Sequence, residues 1–251
     1  MVTFETKCYE NDWEFILMGN YLRTMIERCN YRFAKRVVII NNVKDIEKVS
    51  YYASRKVKRG IIDEYHIAEN YAKEALDFFE IDPSSFDGGY YYSIAELVGI
   101  FLCKTKYLLH FSSDSLQENK PSAWIEKAIQ LFEHRRDIIV ANPTWDYRFE
   151  HAEEESFDRT DDFVIGYGFS DQCYLIETER FRKPVYNEKN EASARYPEYG
   201  GELFEKRVDS FMRNHQLLRI TSKNTAYIHR NFPKEPKERW RKKWQIFFNR
   251  V

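Results

Sequence analysis

Residues 107–115 read Tyr-Leu-Leu-His-Phe-Ser-Ser-Asp-Ser, an apolar, strand-like run that stops abruptly at small hydroxylated residues and one carboxylate. In open α/β sheets, ligands bind where parallel strands end. An acid at such a tip faces the crevice, not the core, so Asp114 is the first candidate ligand for a metal–phosphate group. The pattern recurs at Val37-Val38-Ile39-Ile40, a continuous β-branched run suited to a strand buried on both faces, which ends in Asn41-Asn42. Residues 1–5 predict a first strand, followed by a polar loop over 6–13 in which Asp12 is the expected N-cap. Phe15, Ile16, Met18, Tyr21, Leu22, Met25, Ile26 and Cys29 then recur at helical spacing. Strand, helix and strand in about 40 residues is the rhythm of a βα unit.

The rest of the chain continues in this manner. Residues 43–58 predict a charged surface helix closed by Gly60, 61–66 a third edge, and 70–79 an amphipathic helix. The stretch 82–89 is a loop by composition, and 90–103 a largely apolar helix that feeds the central strand. Pro121-Ser122 opens another helix, with Trp124, Ile125, Ala128, Ile129, Leu131 and Phe132 on one face, and 137–141 is a strand ended by Asn142-Pro143. Residues 150–162 are acidic and read as a loop or flap, 169–176 as a strand with polar groups at its start, and 187–197 as irregular. Tyr199-Gly200-Gly201 precedes a helix with Leu203, Phe204, Val208, Phe211 and Met212 on one face. Arg219-Ile220 and Ala226-Tyr227-Ile228 are two short apolar pieces, the second ending at His229. No internal repeat interrupts the pattern. The expectation is one α/β domain over 1–232, with a mostly parallel central sheet flanked by helices, and a basic-aromatic tail or helix over 233–251.

Composition narrows the function classes. A net charge of -1 over 251 residues gives no global attraction to nucleic acid, and 43% hydrophobic residues suffice for a core of this size. The 17% aromatic content suits sugars and bases as well as a core. Cys8, Cys29, Cys103 and Cys173 form no Cys-x-x-Cys pair and read as buried free thiols of a reducing compartment. Without a signal-peptide pattern or an apolar run of about 18 residues, the expected location is the cytoplasm. Dinucleotide, P-loop and nucleophile-elbow motifs are absent from the sequence.

Three places carry a resemblance: Ser112-Ser113-Asp114 at the central strand tip, Gly200-Gly201-Glu202 before a helix, and the late His229. With the order of elements, they make the chain similar to nucleotide-sugar glycosyltransferases of the GT-A fold, family 2 in particular. The resemblance covers most of residues 1–232. It implies a single Rossmann-like domain whose first half grips the nucleotide and whose second half receives the acceptor. It implies that Asp114, the last position of an Asp-x-Asp triplet whose first acid is here Ser112, and His229 hold Mn²⁺ or Mg²⁺ on the donor diphosphate. The competing reading of Asp114 is a turn cap. Inheritance from the family also implies an inverting mechanism with a carboxylate base. The family's Glu-Asp pair reads Glu202-Leu203 here, so Glu202 is the candidate, with Glu205 one helical turn on and Asp171 as fallbacks. The competing role for Glu202 is charge at a helix start.

By position, the nucleotide would lie across the first two strand tips, beside Thr6, Lys7, Glu10 and Asp12, then Asn41, Asn42 and Asp45, with Ser112 and Ser113 near the phosphates. Partners implied by the resemblance are a nucleotide-diphosphate sugar and a glycan or lipid-linked acceptor. The tail interleaves cations with Trp240, Trp244, Phe247 and Phe248, which suits either an interfacial helix at the inner face of an anionic membrane or a helix docked on the domain. Two other readings stay open: a degenerate transferase fold that only binds, which Ser112 and Leu203 support, and a nucleotidyltransferase.

Overall fold

The computed structural model describes residues 1–196, 200–233 and 235–247, so Tyr199 and Phe248 lie outside the described residues. The first half alternates strand and helix. β1 (Val2–Cys8), α1 (Trp13–Met18), α2 (Tyr21–Arg28), β2 (Lys35–Ile40), α3 (Ile46–Lys58), β3 (Glu64–Ile67), α4 (Glu69–Phe78), α5 (Tyr90–Leu102) and β4 (Tyr107–Phe111) follow in order. A short β5 (Ser115–Gln117), α6 (Trp124–His134), β6 (Ile138–Trp145), α7 (Phe149–Glu154), β7 (Ser156–Arg159) and β8 (Phe163–Gly166) come next. The chain continues with β9 (Cys173–Glu177), α8 (Thr178–Phe181), α9 (Phe204–Asn214), β10 (Leu218–His229) and α10 (Pro236–Phe247).

One ten-stranded sheet runs β3-β2-β1-β4-β9-β6-β10-β8-β7, with β5 paired to β10. β3, β2, β1 and β4 are parallel neighbours, β9 is antiparallel to both β4 and β6, and β6 and β10 are parallel. Strand alternation sorts the side chains into two layers. Phe4, Val38, Ile40, Leu109 and Phe111 pack toward α1, α2 and α6. Val37, Ile39 and Leu108 pack toward α4, α5 and α9. Odd positions of β1 therefore face α5, including Thr3, Glu5 and Lys7. The register of β4 on β1 sets His110 beside Glu5 on that face.

Local chemistry explains the element ends. Asp45 accepts from Lys48 N at 3.0 Å and caps α3, whose last turn carries Arg55, Lys56 and Lys58 against the carbonyl end. Gly60, at φ +64, supplies the left-handed exit. The helix expected from Phe15 to Cys29 is two helices, because extended backbone at Gly19 breaks it.

Several boundaries differ from the sequence pattern. β1 extends to Cys8, so Thr6 and Lys7 are strand residues. β6 passes through Asn142-Pro143 to Trp145. Beyond Ala141 it pairs only with β10, so the missing Pro143 N–H disrupts no ladder on its other side. The acidic stretch expected as a loop holds α7 and β7, and β8 is a short buried strand with no periodicity to announce it. The two late pieces are one strand, β10, with a register shift between Thr221 and Ala226. All four cysteines are buried and free.

Candidate active site

The turn after β4 carries the tip residues. Ser115 N donates to Ser112 O at 3.0 Å, and Ser112 Oγ donates to Asp114 Oδ1 at 3.1 Å. β5 then pairs antiparallel with the end of β10, setting Ser115 opposite His229. That register brings His229 Nε2 to 3.2 Å from Asp114 Oδ2, although 114 residues separate the two in sequence. Both side chains are partly exposed, at 27% and 21%. Donation of a hydrogen bond to the Asp114 carboxylate raises the His229 imidazole above its ordinary value, against partial burial, with the charges of Asp114, Asp146 and Asp171 adding to the effect. His229 is held from behind as well. Gln172 Nε2 lies 3.2 Å from His229 Nδ1, Tyr227 OH donates to Gln172 Oε1 at 3.2 Å, and the His229 N–H donates to Asp146 Oδ1 at 2.9 Å.

Asp12 belongs to this tip for a different reason from the one its position suggests. Its carboxylate does not cap α1; it accepts from Tyr9 N at 2.7 Å and from Ser113 Oγ. Burial pushes it up to about 7, with the Ser113 and Tyr9 hydrogen bonds opposing. Ser113 is thus a brace between the first and fourth strand tips.

Beneath the tips, on the α5 side, lies a buried charged layer. Lys7 pairs with Glu96, which is fully buried in the middle of α5. Burial alone would lower the Lys7 amine, but attraction from Glu96, then Asp171 and Asp114, raises it above its ordinary range. Glu5 and His110 share a 2.8 Å hydrogen bond, and the His110 ring stacks on Tyr174 at 4.7 Å. Burial pushes Glu5 up to about 8 and His110 down to about 4, so this pair is a neutral acid and a neutral imidazole. A Cβ on Gly99 would overlap the Glu5 carboxylate, so α5 approaches β1 closely only because that residue is glycine.

The carboxylates on the far wall fall into two groups. The Asp171 N–H lies 3.5 Å from Glu205 Oε2. Burial, then repulsion from Asp171, pushes Glu205 up to about 8. Asp171 lies just before β9, is partly exposed, and acts on Lys7, Glu96, Glu205 and His229. Glu202 pairs instead with Lys206 at 2.7 Å, and its N–H donates to Phe86 O at 2.8 Å. The loop before α9 packs on residues 86–89, with Gly201 at φ +62 close against the Asp87 carbonyl.

The remaining predicted ligands have structural partners. Thr6 is buried within β1. Glu10 accepts from Lys44 N at 2.9 Å, and Asp45 is the α3 cap. Asn41 and Asn42 each reach Tyr91 O at 3.3 Å, tying the β2 tip to α5. Rings surround that tip: Tyr9 meets Tyr91 edge-on at 6.3 Å, and Tyr91 and Tyr92 are exposed. Sequence reasoning missed Glu96, Glu5, His110, Gln172 and Asp146. A detectable signal existed for Glu96 and His110, since each is a titratable group inside a largely apolar helix or strand.

A parallel β3-β2-β1-β4 half, an antiparallel β9 and an acid at the β4 tip are together the GT-A arrangement. No family model and no curated protein matches the sequence. Solved structures match the fold. GalNAc-T7, crystallised with UDP, GalNAc and Mn²⁺, superposes with a TM-score of 0.54 at 11% identity, covering 91% of this chain and 43% of that one. Glucosyl-3-phosphoglycerate synthase from Mycobacterium tuberculosis, in complex with Mg²⁺ and UDP, gives a TM-score of 0.48 at 11% identity, covering 93% and 72%. The chain spans less than half the length of GalNAc-T7. The likeness to GalNAc-T7 shows a GT-A fold.

Proposed function

We propose that the protein is a glycosyltransferase that moves a sugar from a nucleotide-diphosphate donor to a hydroxyl acceptor, with inversion. The contact between Asp114 and His229 carries this reading. Among the described residues, no three His, Cys, Asp or Glu side chains cluster as a complete metal site. Two are enough where the substrate brings its own oxygens. Neighbouring ligands of an octahedral ion, each about 2.1 Å from it, stand about 3 Å apart, and Asp114 and His229 have that spacing. A carboxylate with an imidazole favours Mn²⁺ over Mg²⁺. A cation held by this pair would neutralise charge on the departing diphosphate.

The chain's own groups supply the rest. The exposed Tyr91, with Tyr9 at its edge, offers a surface for a base at the β1 and β2 tips. Asp171 is the base we favour. Glu205, raised to about 8, holds its proton at neutral pH, and Glu202 is engaged by Lys206. As the acceptor oxygen bonds to the anomeric carbon, the bond from that carbon to the diphosphate oxygen breaks. Asp171 takes the acceptor's proton. On α10, Trp240 and Trp244 are exposed beside Lys237 and Arg241, while Arg239 and Lys243 hold Glu14 of α1. This supports contact with an anionic membrane surface and a lipid-linked acceptor. Among the described residues, no helix is long and apolar enough to cross a membrane.

The test is release of nucleoside diphosphate from a panel of nucleotide sugars with Mn²⁺, beginning with UDP donors. Asp114→Ala and His229→Ala should abolish release. Asp171→Asn should keep donor binding and lose about 10²–10⁴-fold in transfer, as for loss of a general base. Turnover unchanged in Asp114→Ala would remove the site from the mechanism. The small protein donor set favours one second reading, a GT-A fold that binds nucleotide without transfer. Metal-dependent calorimetric heat with a nucleoside diphosphate, with no turnover of any donor, would select it.

A further inference from the structure

At the opposite end of the sheet from the strand tips, the start of β2, α2 and the turn after α3 enclose a cavity of about 180 Å³. Three arginines from three different elements converge on it: Arg23 of α2, Arg36 of β2 and Arg59 after α3. Arg36 is a fixed wall, with Nε and Nη2 on Asp63 at 3.0 and 2.8 Å and Nη1 on Gly60 O at 2.9 Å. Arg23 and Arg59 are exposed, and neither guanidinium makes an ion pair or hydrogen bond among the described residues. Ile26 and Ile61 form an apolar floor, and Glu27 is the acid in the lining. Basic residues at the end of α3 complement its dipole, but Arg23 and Arg36 stand on other elements and that role does not account for them. Nearby, Lys56 is buried with its amine on Gly19 O. Burial, then repulsion from Arg59, Arg23 and Arg55, pushes it down to about 8, a sign that positive potential is concentrated here.

We propose that this cavity binds a soluble, phosphate-bearing small anion, gripped by the guanidinium groups of Arg23 and Arg59. Guanidinium forks match phosphate oxygens in pairs, and two forks without protein partners over one concavity are placed to share an anion. The inference does not rest on the proposed transfer activity, because the pocket is remote from Asp114 and needs no metal.

The test is calorimetric titration of the full chain with inorganic diphosphate, with a chelator present and at low salt. The parent protein should bind, and Asp114→Ala should bind equally. Arg23→Gln/Arg59→Gln should lose about tenfold or more, as expected for lost charge-assisted bonds. Glu27→Gln should tighten binding about twofold by removing a repelling charge. Both altered arginines are exposed, so folding is expected to survive, and the Glu27 variant tests the site in the opposite direction. Parent-like binding by the double variant, loss of binding in Asp114→Ala, or no binding by the parent would overturn the proposal. Binding of phosphatidic acid vesicles without binding of free diphosphate would overturn it too, by assigning the cavity to a lipid headgroup.

Discussion

Replacing Lys7 by Met tests the charged layer under the site without any assumption about activity. The change keeps the aliphatic stem and removes the charge that partners Glu96, which is fully buried in α5. An unpaired buried carboxylate costs about 3–5 kcal/mol. The alternative is for Glu96 to take up a proton. A carboxyl that ionises near 4.3 when unfolded and stays protonated when folded costs about 1.4 kcal/mol per pH unit above that value, at most about 3.7 kcal/mol at pH 7, because burial already raises Glu96 in the parent despite Lys7. The two routes agree. The second also fixes the sign with pH. A folded-state value raised above the unfolded one contributes stability at low pH that is lost as pH rises. The deficit of Lys7→Met relative to the parent should therefore be greatest at pH 7 and above and shrink as pH falls toward about 4.3. Urea denaturation at pH 7 and pH 4.5, followed by circular dichroism, measures it. Adding Glu96→Gln should restore most of the loss, because a neutral amide no longer needs a cation. A deficit below about 1 kcal/mol at pH 7 would refute the reasoning, since surface pairs are worth no more than that. So would a deficit independent of pH.

Three further outcomes follow from the geometry. In metal-free protein, Asp114→Asn should lower the His229 titration toward about 6.5 by proton NMR, and an unchanged titration would deny the contact. Because the raised value belongs to the folded state, the contribution of His229 to stability is full below about 6.5 and fades as pH rises through its folded value. Gly99→Ala should cost about 1–3 kcal/mol in urea, since the new methyl overlaps the Glu5 carboxylate and must displace it from His110. Trp240→Ser/Trp244→Ser should weaken sedimentation with anionic vesicles while leaving donor hydrolysis unchanged, and parent-like sedimentation would remove α10 from membrane contact.

What the sequence made legible followed from strong local signals. The run at 37–40 and the run at 107–111 are apolar enough to mark buried parallel strands, and the abrupt change to Asn or Ser marked their tips. His229 stood out at the end of an apolar piece. Its meeting with Asp114 was legible only through family likeness, because the register is set by β5, a three-residue strand too short to leave a periodic pattern. The role of Asp12 was misread for a related reason. N-cap chemistry is local, whereas one of its two partners, Ser113, lies 101 residues away. Pro143 suggested a strand end, but the cost of a missing N–H depends on whether a neighbour waits for it, and no pattern in one strand encodes that. Glu96 sits in an apolar helix where a lone acid is conspicuous, yet its purpose appears only when β1 places Lys7 beneath it.

That placement bears on how the tip acids can work together. Asp114 and Asp171 each attract Lys7, and Lys7 is fixed by Glu96 rather than free to follow either. A cation anchored from below lessens the repulsion between carboxylates crowded around one crevice. Lys7 draws Glu205 downward too, but burial and then repulsion from Asp171 outweigh it and push that carboxyl up to about 8. Lys7 thus sits where it attracts both acids that the proposed reaction uses. Glu205, raised and protonated, lies where a hydrogen-bond donor toward Asp171 or the acceptor would be useful. Lys7→Arg separates anchoring from relief. It preserves the charge but cannot reproduce the same point contact with Glu96. Its stability should fall while the titration of His229 stays close to that of the parent. Equal movement of both would mean that the buried pair and the strand tip form one electrostatic unit.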